Sequence, residues 1–267
     1  MKGAYLVDYH VHTENSIDSG AKMTDYCRQA VRVGIQEIVF TEHFDLNPLE
    51  PGRWYLNYQR YSAQVEECRR RYHGLVTVKM GLELGEPHLY RKEIEEYIRG
   101  KNFDFLLGSV HWVDDLALHR EYCDSFEARK AYLRYFSEVY KAVEAGGFQV
   151  LGHLDLLKRY APPDYRGFSA AVYREAIWEI LRRAVGQGIG LEINTSGIRQ
   201  KLKETLPSAE ILRWYRELGG DILTFGSDAH RVRDLGADIP VAHQLAARCG
   251  FRQFTTFSRG EPTMHPL

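Results

Sequence analysis

Along this chain, runs that read as strands alternate with runs that read as helices, and nearly every strand run ends in a histidine, aspartate, glutamate or asparagine. That combination constrains the fold more than any single motif. Parallel strands joined by helices send their C-terminal ends to one side, and a sheet that closes into a barrel brings those ends to a single mouth. In an open sheet the outer strands would hold some of these polar ends too far apart to cooperate. Strands are predicted over Tyr5–His10, Glu37–Thr41, Val76–Leu84, Phe103–Val110, Gln149–Leu151, Gly190–Ile193 and Ile222–Phe225, with a last one over Gln253–Phe257. Helices are predicted over Met23–Val33, Tyr58–Tyr72, Arg91–Arg99, Phe126–Ala145, Ala170–Val185, Ser208–Leu218 and Val241–Arg248. Asn47–Arg53 and Ala161–Asp164 carry the prolines of loops. The count gives about seven β/α units and an α/β barrel, expected as one domain over residues 1–267. A doubly wound open sheet is the competing arrangement, but no glycine-rich dinucleotide loop or Walker sequence supports it.

The first strand ends in Asp8-Tyr9-His10-Val11-His12. Side chains alternate along a strand, so His10 and His12 share a face, with Asp8 behind them. Two adjacent imidazoles repel when protonated and leave nitrogens unpaired when neutral; a metal ion removes both problems. The other strand ends add His43, Glu83, His111, His153, Asp228 and His230, so six of the 11 histidines fall at such positions. His73, His88, His119, His243 and His265 read as ordinary solvated or capping residues, with His119 on the mouth side and within reach of a substrate. Imidazole and carboxylate donors suit Zn, Mn or Fe, and there are too many for one tetrahedral ion, so more than one divalent ion is expected.

Composition narrows the function further. With 35 basic and 36 acidic residues the net charge is −1, which offers no footprint for duplex nucleic acid. A small phosphorylated substrate needs only a local positive site. No apolar run approaches the roughly 20 residues that span a bilayer. The four scattered cysteines and the lack of a signal-like start point to reduced thiols in a cytoplasmic protein. The sequence leaves the oligomeric state open.

His10-x-His12, Thr41-Glu42-His43, Gly81-Leu82-Glu83, Gly108-Ser109-Val110-His111, Gly152-His153-Leu154-Asp155 and Gly226-Ser227-Asp228-Ala229-His230, in this order, resemble the motifs of the PHP (polymerase and histidinol phosphatase) superfamily. The stretches Gly108–His111, His153–Arg159 and Asn194–Arg199 resemble its histidinol-phosphate phosphatase branch most. The resemblance implies a distorted (β/α)7 barrel with a metal site at the C-terminal strand ends. It implies that His10, His12, Glu83 and Asp228 hold one ion, and that Glu83, His111 and His153 hold a second, with Glu83 bridging. His43 and His230 would hold a third, with one ligand from the loop after His12. Some relatives have a histidine six residues past the second His of His-x-His; here Asp18 stands there, an oxygen donor that suits a harder ion. The implied reaction is hydrolysis of L-histidinol phosphate by a metal-bridged hydroxide, as a step of histidine biosynthesis, with Glu83, Asp228 and His230 at the catalytic centre. A phosphoesterase for another small ester or a nucleotide, and a non-catalytic metal-binding domain, are the alternatives. Arg199 is the first candidate for the phosphate cradle, followed by Lys158 and Arg159. Glu14, Glu42 and Asp45 are expected near the mouth as partners of a substrate amine, and Trp54, Tyr55 and Tyr58 as a lid.

Overall fold

The computed structural model describes residues 5–165 and 167–267; Met1–Ala4 and Arg166 lie outside the described residues. Seven parallel strands form the central sheet, in the spatial order β1-β2-β3-β4-β7-β8-β9. They are β1 (Val7–Val11), β2 (Glu37–Phe44), β3 (Thr77–Gly85), β4 (Phe105–Ser109), β7 (Val150–Leu151), β8 (Gly190–Asn194) and β9 (Leu223–Gly226). Every neighbouring pair is parallel. The first and last strands come together at their upper ends, where His12 N–H donates to Ala229 O (3.0 Å) and Ala229 N–H to His10 O (3.3 Å). The barrel is thereby nearly closed, as the strand-end pattern predicts.

The outer layer is built from amphipathic helices: α1 (Met23–Val33), α2 (Tyr58–Arg71), α3 (Arg91–Ile98), α4 (Arg120–Asp124), α5 (Ala128–Ala145), α6 (Arg174–Gln187), α7 (Ser196–Arg199), α8 (Ala209–Glu217) and α9 (Ile239–Arg248). Each long helix turns an apolar stripe to the sheet; in α5 it is Tyr132, Tyr135, Phe136, Val139 and Val143. The barrel strands β1, β8 and β9 are buried along their whole length, so polar residues within them such as Asp8 and Glu192 must find partners inside the protein.

Three sequence expectations change. The predicted helix Phe126–Ala145 starts at Ala128, and the short α4 precedes it. Ahead of α4 a small hairpin forms, β5 (Trp112–Val113) with β6 (Leu116–Ala117), around Asp114 and Asp115 at φ 50° and 59°. Two consecutive left-handed residues make the tight turn a hairpin favours, but Asp-Asp lacks the glycine that normally announces it. The last predicted strand, β10 (Gln253–Ser258), does not join the barrel. It pairs antiparallel with β11 (Glu261–Pro266). This hairpin packs under the barrel floor, where Phe257 N–H donates to the Tyr9 hydroxyl (2.8 Å) and the Phe257 ring meets Phe105 at 5.2 Å. No helix among the described residues is long and apolar enough to cross a membrane, no disulfide forms among them, and all four cysteines are buried.

Candidate metal centre and substrate pocket

The barrel mouth gathers side chains from six strand ends and their following loops. Glu83, from β3, lies at the centre and is almost fully buried. Its two oxygens face different groups. Oε2 lies 3.2 Å from His10 Nε2, 3.5 Å from His12 Nε2 and 3.2 Å from His43 Nδ1. Oε1 lies 2.8 Å from His153 Nε2 and 3.3 Å from His111 Nε2, and accepts a hydrogen bond from Ser109 Oγ at 2.7 Å. Asp228 Oδ1 approaches His10, His12 and His230 at 3.9, 3.8 and 3.5 Å. Asp18 Oδ2 meets His230 Nε2 at 2.9 Å and His43 Nε2 at 3.4 Å. All nine residues singled out as candidate ligands therefore meet at one mouth.

Donor atoms lie within 4.8 Å of one another in four triplets: His10, His12 and Glu83; Glu83, His111 and His153; His12, His43 and His230; and His43, Asp45 and His111. Burial alone would raise Glu83, but the imidazoles of His10, His111 and His43 outweigh it and hold the carboxyl well below its usual range. Asp228 behaves alike, with His10, Arg159 and His230 overcoming its burial. His12 is driven the other way: burial, then His43 and His230, push it well below the usual imidazole value, so it is neutral. A neutral imidazole among carboxylates is what a divalent cation requires.

Hydrogen bonds behind the cluster aim the rings. Ser16 Oγ gives its single proton to Glu42 Oε2 at 2.6 Å and accepts the His43 backbone N–H at 3.0 Å. Its remaining lone pair faces His12 Nδ1 at 3.3 Å. This accounting puts the His12 proton on Nδ1 and leaves the Nε2 lone pair directed into the cluster. His12 Nε2 and His43 Nδ1 are buried there with no hydrogen-bond partner. Two orphaned nitrogens beside carboxylate oxygens fit a divalent ion that completes the set. His10 Nδ1 sits 2.6 Å from Glu192 Oε1, both groups fully buried, with Asn194 Nδ2 donating to Glu192 Oε2 at 3.2 Å. Glu192 and the Ser16–Glu42 pair escaped the sequence reading. The signal for Glu192 was its position: a charge between Leu191 and Ile193 in a strand buried on both faces must have a partner.

The cluster forms the floor of a cavity of about 380 Å³, whose walls include Ile17, Glu50, Trp112, Leu118, His119, Leu156, Arg159 and Tyr160. The three expected phosphate cations part company here. Arg159 lines the cavity; its Nη2 donates to Asp228 Oδ2 at 3.2 Å and also to Ser196 Oγ, while its Nε is buried and unpartnered. Arg199 lies outside the wall, its Nη2 donating to the Asp228 carbonyl at 2.9 Å. Lys158 is buried away from the cavity, with Nζ 2.8 Å from Asp155, 3.0 Å from Glu204 and 2.9 Å from Thr205 O. Its charge is consumed by those partners. Among the residues expected near the mouth, Asp45 lines the cavity and His119 does too. Glu42 faces inward to Thr13 and Ser16, and Glu14 accepts from Gln64. Trp54 packs on Phe44 and Tyr97, Tyr58 on Phe103, and Tyr55 is exposed, so none of the three lines the cavity.

A nearly closed barrel of seven parallel strands with a carboxylate-bridged histidine cluster at its mouth is the build of a metal-dependent hydrolase. The sequence matches the PHP domain model over residues 8–196, and the chain belongs to that family. It is 31% identical over 258 residues to the histidinol-phosphatase of Lactococcus lactis, covering 94% of each chain. It is 24% identical over 258 residues to the histidinol-phosphatase of Bacillus subtilis, covering 86% of this chain and 95% of the relative. The crystal structure of the Lactococcus lactis histidinol phosphate phosphatase, in complex with zinc, L-histidinol and phosphate, superposes with a TM-score of 0.89 at 28% identity, covering 97% of this chain and 99% of that one.

Proposed function

We propose that this protein is a divalent-metal-dependent phosphomonoesterase that hydrolyses L-histidinol phosphate to L-histidinol and phosphate. The observation that carries the reading is Glu83, whose two oxygens are divided between two histidine groups in a buried pocket that also holds an arginine. The substrate follows from the likeness to the Lactococcus lactis enzyme along nearly the whole chain.

His10, His12, Glu83 and Asp228 are proposed to hold one ion, Glu83, His111 and His153 a second, and Asp18, His43 and His230 a third. Zinc is supported by the Lactococcus lactis complex, and manganese or iron fits the same donors. Bound divalent ions supply Lewis acidity at the phosphoryl oxygens and make water nucleophilic near neutral pH. The rest is the work of the chain. Glu192 and Ser16 orient His10 and His12, and Arg159 offers its free Nε–H to a phosphoryl oxygen while its Nη2 steadies Asp228. Arg199 shapes the turn at Asp228 through the carbonyl rather than meeting the substrate. Glu83, Asp228 and His230 surround the place where the phosphorus reacts. The placing of the terminal hairpin under the barrel supports reading residues 1–267 as one domain.

The test is phosphate release by metal-replete protein from L-histidinol phosphate, nucleoside monophosphates and simple alkyl phosphates. Preferred turnover of L-histidinol phosphate is expected. Turnover of another ester in its place would overturn the substrate, and no turnover of any ester would overturn the enzyme reading.

A further inference from the structure

The cavity wall carries one carboxylate that no imidazole approaches. Glu50, in the loop after β2, lines the wall. Its Oε2 accepts a hydrogen bond from the Trp112 indole N–H at 3.0 Å, and its Oε1 accepts the Gly52 backbone N–H at 3.0 Å. Both donors are neutral. The other cavity carboxylates are engaged by imidazoles: Asp18 by His230 and His43, Asp45 by its approach to His43 and His111 at 3.6 and 3.7 Å, Glu83 and Asp228 by the cluster itself. Among the described residues Glu50 has no ion-pair partner. Its carboxylate is thus held in a fixed place while its charge remains uncompensated.

The anchor itself is firm. Trp112 follows His111 directly, and the backbone N–H groups of both donate to Glu86 Oε1, at 3.0 and 2.6 Å. Glu86 is fully buried. Glu50 is therefore fixed relative to the metal end of the cavity through two short links. The same cavity is also lined by Tyr160 and His119, whose rings meet edge to face at 5.3 Å. An anionic group flanked by aromatic walls suits a cation with a planar ring attached.

We propose that Glu50 is the specificity-determining residue of this pocket and binds the ammonium group that the leaving alcohol carries two carbons from the ester oxygen. The proposal rests on the phosphomonoesterase reading above. Phosphate lies at the metal end with Arg159, and the ammonium group reaches Glu50. An ester without that positive charge brings the carboxylate no ionic partner, so selectivity arises from the missing partner as much as from the one gained.

Two small esters isolate the charge. O-Phosphoethanolamine has the same spacing of ammonium and ester oxygen, and propyl phosphate has the same length with a methyl group instead. In the metal-replete enzyme, Glu50→Gln is expected to lower the ratio of kcat/KM for O-phosphoethanolamine to that for propyl phosphate by about ten- to a hundredfold, through KM more than kcat. The inhibition constant of L-histidinol should rise by a similar factor. Trp112→Phe keeps the charge but removes its indole anchor, and should lower the ratio less. An unchanged ratio together with an unchanged inhibition constant in Glu50→Gln would overturn the proposal. Failure of the substrate reading shows separately, as wild-type protein that cleaves these esters but not L-histidinol phosphate. In that event the ratio still decides the role of Glu50.

Discussion

Glu192 gives the sharpest test of how the centre is held. Its Oε1 lies 2.6 Å from His10 Nδ1, and both side chains are about 1% exposed. A histidine that ligates a metal through Nε2 is commonly aimed by a carboxylate on Nδ1, and losing that partner costs about 10–100-fold in metal affinity or activity. The hydrogen bond itself gives the same scale, since one to a charged group contributes about 1.5–3 kcal/mol, or roughly one to two powers of ten. Glu192→Gln keeps an oxygen within reach of Nδ1 and removes only the charge. It should weaken zinc retention about tenfold. Glu192→Leu removes the acceptor as well. It should approach a hundredfold and also lose about 1–3 kcal/mol of stability, because a buried N–H is left without a partner. Competition for zinc with a chelating dye measures the first quantity, kcat/KM for phosphate release the second, and urea unfolding of the metal-free protein the third. If Glu192→Gln retains zinc as tightly as wild type with kcat/KM unchanged, His10 is not oriented through Glu192 and the reasoning fails.

Other predictions follow from single contacts. The His243 ring stacks on Phe225 at 4.2 Å and meets Phe254 at 5.2 Å, with both nitrogens unpartnered, and burial lowers its pKa to about 4. The unfolded chain then takes up the proton first, so stability is full above about pH 6.5 and declines as pH falls toward 4. His243→Leu should remove that part of the acid sensitivity, a difference of about 1–3 kcal/mol between urea titrations at pH 8 and pH 4.5, after allowing for solvent screening. An identical pH dependence in the variant would refute it. Phe257→Ala empties the barrel floor and should cost about 3–5 kcal/mol in the same unfolding assay; a loss under 1 kcal/mol would mean that the hairpin is not part of the core. Asp18→Asn leaves both Glu83-centred groups intact. It should reduce the metal retained after dialysis by one equivalent per chain, with little change in thermal stability, and an unchanged metal count would remove Asp18 from the ligand set. In Gly226→Ala the new Cβ would lie 2.2 Å from Glu192 Oε1 and 2.5 Å from His10 Cβ. That substitution should reproduce the metal loss of Glu192→Leu, and wild-type zinc retention would contradict the packing described.

The barrel and the membership of the cluster were legible in the sequence because both depend on strand ends. A parallel barrel strand of five residues has few places to go, and its last polar residue must face the mouth. His10, Glu83, His111 and Asp228 could be placed by that rule alone. The rule says nothing of residues that serve from behind. Ser16, Glu42 and Glu192 act through hydrogen bonds whose partners are 4, 26 and 182 positions away along the chain. Spacing cannot reveal such pairs. Cations suffered from the same limit. Lys158 and Arg159 are neighbours in sequence, but the 3₁₀ turn over Leu156–Arg159 sends one to Asp155 and Glu204 and the other to the cavity. Of the rings expected as a lid, Trp54 packs on Phe44 and Tyr58 on Phe103 while Tyr55 stays exposed away from the cavity, whereas Trp112 came from a hairpin with no glycine to announce it.

Two residues of the cluster carry backbone strain as well. His153 and Asp228 adopt left-handed conformations at φ 43° and 54°. Such conformations at non-glycine residues cost about 1–3 kcal/mol unless the surroundings enforce them. Here they are enforced. The Asp228 carbonyl is held by Arg199 and its carboxylate by Arg159 and Ser196, while His153 is drawn to Glu83 at 2.8 Å. The orphaned nitrogens of His12 and His43 add a second unfavourable contribution within the same few ångströms. A chain that needed only to fold would relieve both, with glycine at the two turns and apolar side chains in place of the imidazoles. The strain and the missing partners have a common remedy in cations held among these residues. That is the physical reason to place metal chemistry at this end of the barrel rather than in any other cavity of the molecule.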